Sequence, residues 1–164
     1  MITANQKSEG NNKIGIWKYP GKKFDFEKDI LLRETNLMGN TYFANYVVWQ
    51  GEARERLLLK HPQTLEWLKN NQHIKMITYE THHRFLHETT FGSRVRLEVT
   101  SREIKRWSFV LIFRYFDALN NEKIGEGWQR ACFMDLRTNK ICEVPQLILD
   151  LVEPITEDLR PTHT

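Results

Sequence analysis

From Tyr42 to Lys60 the chain reads as one long helix, and the polar residues interrupting one of its faces are the first that could do chemistry. Steps of three and four bring Phe43, Val47, Gln50, Gly51, Arg54 and Leu58 together as the inner face, while Glu52, Glu55 and Arg56 fall mostly opposite. Gln50 offers a donor and an acceptor, and Arg54 a fixed cation with a planar fork of donors. A glycine inside a helix costs about 1 kcal/mol relative to alanine, so Gly51 implies either a close-packed neighbour or space kept for something else, such as a ligand. Upstream, Asn36 and Gly39 lie in a polar, small-residue segment, Glu34–Thr41, that leads into the helix. On residue type alone Asn36 reads as a turn residue bonding its own backbone or as a group that positions a ligand. Arg54 reads as a snorkelling side chain, as an ion pair with Glu55 or Asp150, or as a functional cation. Tyr46 reads as core, with a hydroxyl that could still reach a site.

The remaining chemistry-bearing residues form no comparable set. His82, His83 and His87 invite a metal or general-base reading, and His83 and His87 share a strand face, but no third ligand is evident and no carboxylate is placed beside them. They read as surface or groove residues. Cys132 and Cys142 lack metal-site spacing. A tight hairpin at Thr138-Asn139 pairs Arg137 with Lys140 and sets Cys142 opposite Asp135, so the two thiols do not meet and are expected to be reduced and buried. No metal and no cofactor is expected.

The elements that must position these residues fit one domain. A chain of 164 residues, 40% apolar and 12% aromatic, is long enough for a single core. Its net charge of +3 is spread without a block of like charge, which gives little support to a nucleic-acid partner. Such a surface also suits an acidic carrier protein or the phosphates of coenzyme A. No apolar run approaches membrane-spanning length and the N-terminus is polar, so a cytoplasmic protein with no membrane association is expected. Residues 1–22 read as an N-terminal tail that docks through Ile16 and Trp17, residues 23–154 as the domain, and residues 155–164 as a polar C-terminal tail.

A strand is expected at about Phe24–Arg33, then the long helix ended by Pro62, a short helix over Gln63–Asn70, and strands thereafter. Arg94–Thr100 alternates, with Val95, Leu97 and Val99 on one face. Trp107–Phe116 is apolar on both faces, with Trp107, Phe109, Leu111, Phe113 and Tyr115 on one and Val110, Ile112 and Phe116 on the other. One helix covers only one face of a sheet, so a partner subunit is expected on the second. Asp117–Lys123 reads as a turn, Gly125–Leu136 and Lys140–Val144 as the last strands, and Gln146–Leu151 as a terminal helix. This order asks for an α+β domain with an antiparallel sheet against one helix.

The segment Glu34-Thr35-Asn36-Leu37-Met38-Gly39-Asn40-Thr41-Tyr42-Phe43-Ala44-Asn45-Tyr46, followed by Trp49-Gln50-Gly51 and Arg54-Glu55, resembles the opening of the 4-hydroxybenzoyl-CoA thioesterase-like hot-dog family. Within it the segment looks most like the thioesterases that accompany enediyne polyketide synthases. The resemblance implies a hot-dog fold, an antiparallel sheet wrapped around one long helix, in a homodimer or a homotetramer. It implies hydrolysis of an acyl thioester, here release of a polyene β-ketoacyl chain from the acyl carrier protein of an iterative synthase, with decarboxylation possible in the pocket or afterwards. An acyl-CoA thioesterase of broad specificity and a non-catalytic acyl-binding protein of the same fold remain the alternatives.

The family's usual aspartate before the helix falls on Asn36, and its alternative helix carboxylate falls on Gly51. Both are missing. In the enediyne-type enzymes the corresponding asparagine and arginine are associated with catalysis, which implies catalytic roles for Asn36 and Arg54, with Tyr46 beside them. The backbone N–H groups of Tyr42 and Phe43 are the oxyanion candidates, because a helix N-terminus presents unpaired donors and a positive dipole end. Gly39, Gln50 and Gly51 are the expected substrate-binding positions, and Gly51 with the ring-rich strand could border an apolar channel. Since neither Asn36 nor Arg54 acts as a base near neutral pH, catalysis would rest on positioning and electrostatics. Thr89, Thr90, Phe91 and Gly92 read as a loop that can border the entrance of a neighbouring subunit's site.

Overall fold

The computed structural model describes Trp17 and residues 19–158. Its elements run β1 (Phe24–Asp29), a 3-10 turn (Leu32–Glu34), α1 (Ala44–Leu58), α2 (Thr64–Asn70), β2 (Ile74–Phe85), β3 (Arg94–Arg102), β4 (Ser108–Asp117), β5 (Lys123–Asp135), β6 (Lys140–Cys142) and α3 (Gln146–Val152). All strand pairs are antiparallel in the order β1-β3-β4-β5-β2, with β6 paired to β5. The sheet curls around α1, giving the α+β architecture that the element order asks for and the hot-dog wrap that the resemblance implies.

Alternation decides which face α1 covers. Val95, Leu97 and Val99 of β3 are fully buried, and Phe109, Leu111, Phe113 and Tyr115 of β4 lie beside them. Across from that aromatic row, β5 presents Gly125, Gly127, Gln129 and Ala131. The small residues make room for the helix: a Cβ at Gly127 would stand 2.3 Å from Gln50 Nε2 and 2.3 Å from the His82 carbonyl. Large residues on one strand facing small ones on the next let the helix sit into the sheet.

The buried stripe of α1 is Tyr46, Trp49, Gln50, Ala53 and Leu57. This corrects the expected inner face by about one residue's rotation. Phe43 is exposed, and Val47, Gly51, Arg54 and Leu58 are only half-buried, so that series is the helix's flank rather than its keel. Trp49 and Tyr46 supply far more apolar area than Gly51 or Arg54 and win the core positions. The helix stops at Leu58, whose carbonyl accepts the Thr64 hydroxyl.

Several boundaries differ from expectation. β1 ends at Asp29, because the Glu34 carboxylate binds the Leu31 N–H at 2.8 Å and draws the chain into the 3-10 turn. Trp107 precedes β4 and is 44% exposed, off the core face. The final hairpin pairs Asp135 with Lys140 and Phe133 with Cys142, a four-residue loop in place of the expected tight turn. Both cysteines are free, Cys132 buried and Cys142 half-buried. Val110 and Ile112 are buried within the single chain, with Arg102, Arg130 and Trp128 across the neighbouring strands, so the second face of β4 does not by itself require a partner.

The chain packs past residue 154. Ile155 is fully buried, Thr156 bridges Ser101, and Glu157 N–H donates to the Ser101 carbonyl at 2.8 Å. At the other end the Trp17 ring meets His61 at 4.5 Å, while Ile16 lies outside the described residues.

Candidate active site

The approach to α1 is a hairpin closed by Glu34. Its carbonyl accepts the Tyr42 N–H at 2.9 Å and the Asn45 amide at 2.8 Å. Its buried carboxylate accepts Lys28 Nζ at 2.7 Å and Trp49 Nε1 at 2.7 Å as well as Leu31 N–H. Burial pushes this carboxyl up, but the hydrogen bonds from Leu31, Lys28 and Trp49 outweigh it and hold the group below its ordinary value. Glu34 thereby fixes the loop that carries the motif to the helix it precedes.

Within that loop Asn36 takes the turn role. Its Oδ1 accepts the Met38 N–H at 2.9 Å, and its carbonyl accepts the Gly39 N–H at 3.0 Å. The side chain is exposed, and its Nδ2 meets no acceptor among the described residues. Gly39 sits at φ +87 with open space where a Cβ would be, so its requirement is the left-handed backbone. Leu37 and Met38 stand exposed at the tip.

At the start of α1 the two oxyanion candidates separate. The Tyr42 N–H is spent on Glu34, which removes it from that role. The Phe43 N–H has no acceptor among the described residues. Beside Phe43 a cavity of about 220 Å³ is lined by Asn40, Thr41, Tyr46, Phe85, Leu86 and the loop residues His87 and Glu88. The Tyr46 hydroxyl reaches Thr89 Oγ1 at 2.9 Å, and Thr89 reaches Thr41 Oγ1 at 2.7 Å, a buried chain of hydroxyls. Burial pushes the Tyr46 hydroxyl up, with the Thr89 hydrogen bond opposing.

Farther along the helix Gln50 is fully buried, and its amide is committed to β2: Nε2 donates to the His82 carbonyl at 3.0 Å and Oε1 accepts the Thr81 hydroxyl at 3.0 Å. Gln50 therefore anchors helix to strand and does not face a substrate. Gly51 does have open space, with nothing within 4 Å of an added Cβ. Arg54, one turn on, donates through Nη1 to Thr78 Oγ1 at 2.6 Å and Gln129 Oε1 at 3.1 Å. Its Nε is buried and unpartnered, and no carboxylate pairs with it among the described residues. Of the readings open for Arg54, the ion pair is not the one formed: neither Glu55 nor Asp150 pairs with it, and Asp150 faces His61. Burial pulls the guanidinium down from its ordinary value, only partly offset by the charge of Glu55.

Sequence reasoning missed two features. His83 is enclosed by the rings of Tyr46, Phe85 and Tyr115 at 4.5–4.9 Å, and both its nitrogens are buried without partners. Burial, with the neighbouring His82 adding to it, lowers this imidazole to about 4. His87 does have a carboxylate beside it, Glu122 at 3.3 Å. The register of β2 against β5, which decides both, has no local signature. Among the described residues no group of three or more His, Cys, Asp or Glu stands together as metal ligands, and no helix is long and apolar enough to cross a membrane.

Comparison with known proteins agrees with this geometry. The family described as the thioesterase-like superfamily matches residues 30–152. The dynemicin thioesterase, whose structures concern polyene binding, superposes with a TM-score of 0.76 at 22% identity, covering 84% of this chain and 99% of that one. A 1,4-dihydroxy-2-naphthoyl-CoA thioesterase from Synechocystis gives 0.73 at 17% identity, covering 79% and 95%. A Staphylococcus aureus protein in complex with CoA gives 0.74 at 13% identity, covering 90% and 93%. No curated protein matches the chain in sequence. With the match spanning both the motif loop and the curled sheet, the chain belongs to the thioesterase-like superfamily and is a thioesterase of the hot-dog fold.

Proposed function

We propose that the enzyme releases a polyene β-ketoacyl chain from the acyl carrier protein of an iterative, enediyne-type polyketide synthase, acting in the cytoplasm as a homodimer or a dimer of dimers. The observation that carries this reading is Arg54: a half-buried guanidinium with only neutral acceptors, a free Nε, and the open flank at Gly51 beside it. A desolvated cation without a counter-ion is suited to the oxyanion that forms when a thioester carbonyl is attacked. The motif around Asn36 and Arg54 supports the carrier-bound substrate, and the likeness to a thioesterase whose structures concern polyene binding supports the polyene chain. Asn36 would orient the thioester through its free Nδ2, and the Phe43 N–H would be a further donor.

These groups do not converge within one chain. At about 1.5 Å per helical residue, Phe43 and Arg54 stand roughly 16 Å apart along α1. Strand β2 is bonded on one side only, to β5, and leaves a long free edge. Arg54 stands over Thr78 of β2, and the cavity beside Phe43 reaches Phe85 at the strand's other end. Antiparallel pairing of two β2 edges about a dyad near Thr81 and His82 would set Thr78 of one copy beside Phe85 of the other. Each site would then take Asn36 and Phe43 from one chain and Arg54 from its partner.

Arg54→Ala is expected to abolish product release in a reconstituted synthase assay, and near-normal release would remove Arg54 from the mechanism. Mixing inactive Arg54→Ala and Asn36→Ala chains would regain about a quarter of wild-type activity if sites span two chains, and none if each chain is self-contained. A second reading, an acyl-CoA thioesterase of broad specificity, draws on the likeness to the naphthoyl-CoA enzyme and the CoA-bound protein. Rates on the same acyl group carried by CoA and by carrier protein separate the two, and a strong CoA preference would sink the carrier reading.

A further inference from the structure

Attack of water on a thioester near neutral pH is helped by a group that accepts a proton, and neither an asparagine amide nor a guanidinium can do so. The cavity at the head of α1 contains such a group. Glu88, on the loop between β2 and β3, lines it together with Asn40, Thr41, Phe43 and Tyr46. Asn40 Nδ2 donates to Glu88 Oε1 at 3.2 Å at the exposed rim of the cavity, and a backbone bridge from Asn40 to Thr90 ties the loop that carries Glu88 to the motif loop. Asn40 Oδ1 is buried without a partner among the described residues.

The other carboxylates nearby are committed. Glu34 is occupied by Lys28, Trp49 and Leu31, and Glu122 faces His87. Glu88 has no ion pair among the described residues. Phe43, Phe85 and Leu86 form the apolar part of the same cavity, which suits the reacting end of an acyl chain better than a bare anion.

We propose that Glu88 is the general base of this thioesterase, supplied from the β2–β3 loop in place of the carboxylates absent at Asn36 and Gly51. The proposal rests on the thioesterase reading of the site and adds the residue that activates water. As the water oxygen bonds to the thioester carbon, its proton passes to the Glu88 carboxylate and the carbonyl electrons move to oxygen. When the tetrahedral intermediate collapses, the C–S bond breaks with its electron pair on sulfur, and protonated Glu88 returns the proton to the thiolate. The products are a carboxylic acid and a free thiol, and Glu88 is regenerated.

The test uses the full chain with saturated acyl-CoA thioesters from acetyl to palmitoyl, and with the same acyl groups and a polyene β-ketoacyl chain on phosphopantetheinylated carrier protein. Glu88→Gln keeps the size and the hydrogen bond to Asn40 but cannot take a proton. It is expected to lower kcat by about 10²–10⁴-fold with little change in KM. Hydroxylamine, a nucleophile that needs no base, should restore thiol release by the variant toward the wild-type rate. A kcat within about threefold of wild type, or a deficit that hydroxylamine does not relieve, overturns Glu88 as base and leaves the thioesterase reading standing. A wild-type enzyme that cleaves no member of the panel overturns that reading, and the proposal with it.

Discussion

Glu34 and Arg54 are both charged, both withdrawn from solvent and both tied to α1, yet their surroundings are opposite. Every direction around the Glu34 carboxylate is filled: a backbone N–H, an ammonium and an indole N–H, all within 2.8 Å. Arg54 has two neutral oxygens on one nitrogen and nothing on Nε. A buried charge that is fully paired holds a structure together; one that is left short of partners is stable only because the rest of the fold tolerates it. The contrast marks Glu34 as the residue that builds the motif loop and agrees with the role proposed for Arg54 at the substrate.

The contrast can be broken most forcefully at Glu34. Glu34→Ala leaves the Lys28 ammonium only its longer contact with Glu52 at 3.5 Å and strands the Trp49 and Leu31 N–H groups, and the expected loss is about 2–4 kcal/mol of stability. Urea unfolding measures it, and a loss below about 1 kcal/mol would show the cluster to be solvated. The carboxyl is held below its unfolded value, so its contribution is present above the ordinary carboxylate range and is lost as pH falls through the folded value. The wild type should therefore lose stability in acid more steeply than Glu34→Gln. At Arg54 the pattern inverts. Arg54→Met should cost about 10²–10³-fold in turnover, the scale of one lost oxyanion donor, with a melting temperature unchanged or raised. A marked drop in melting temperature would make Arg54 structural.

The sequence showed the helix, the half-buried strand Arg94–Thr100 and the motif loop, because each has a local signature in period, cap or turn residues. It could not show which flank of the helix faces the core. Tyr46, Trp49 and Ala53 compete with Phe43, Val47 and Leu58 at the same spacing, and the close approach of the helix at Gly127, which helps decide between them, depends on sheet register rather than on helical period. The same limit explains Gln50, read as substrate-facing on the helix and found bonded to the backbone of β2. Glu88 and Thr89 stand 48 residues from Asn40 and Thr41 and meet them only through the register of the sheet. Chemistry carried by one segment was legible, and chemistry shared between segments was not.

That helix–strand fit yields a smaller effect. Gly127→Ala drives a methyl against Gln50 Nε2 and the His82 carbonyl, and because the latter is backbone the cost should be about 1–3 kcal/mol. If the unfolding midpoint does not move, the close approach of α1 to β5 is not a feature of the protein in solution.

The smallest effect concerns His83, which like Arg54 has buried nitrogen without a partner but differs in being able to shed its charge. Its folded value of about 4 lies below the ordinary 6.5, so between these limits the unfolded chain binds a proton that the folded chain refuses. Stability contributed by the neutral ring is thus complete above pH 6.5, declines as pH falls from there, and is gone below about 4. His83→Phe removes both unpartnered nitrogens and keeps the aromatic contacts with Tyr46, Phe85 and Tyr115. It should leave stability at pH 7 unchanged or slightly higher and flatten its decline through the imidazole window, while the loss governed by Glu34 persists at lower pH. An unaltered slope between pH 6.5 and 4 in the variant would mean that His83 titrates freely, and that the ring cage beside Tyr46 is open to water.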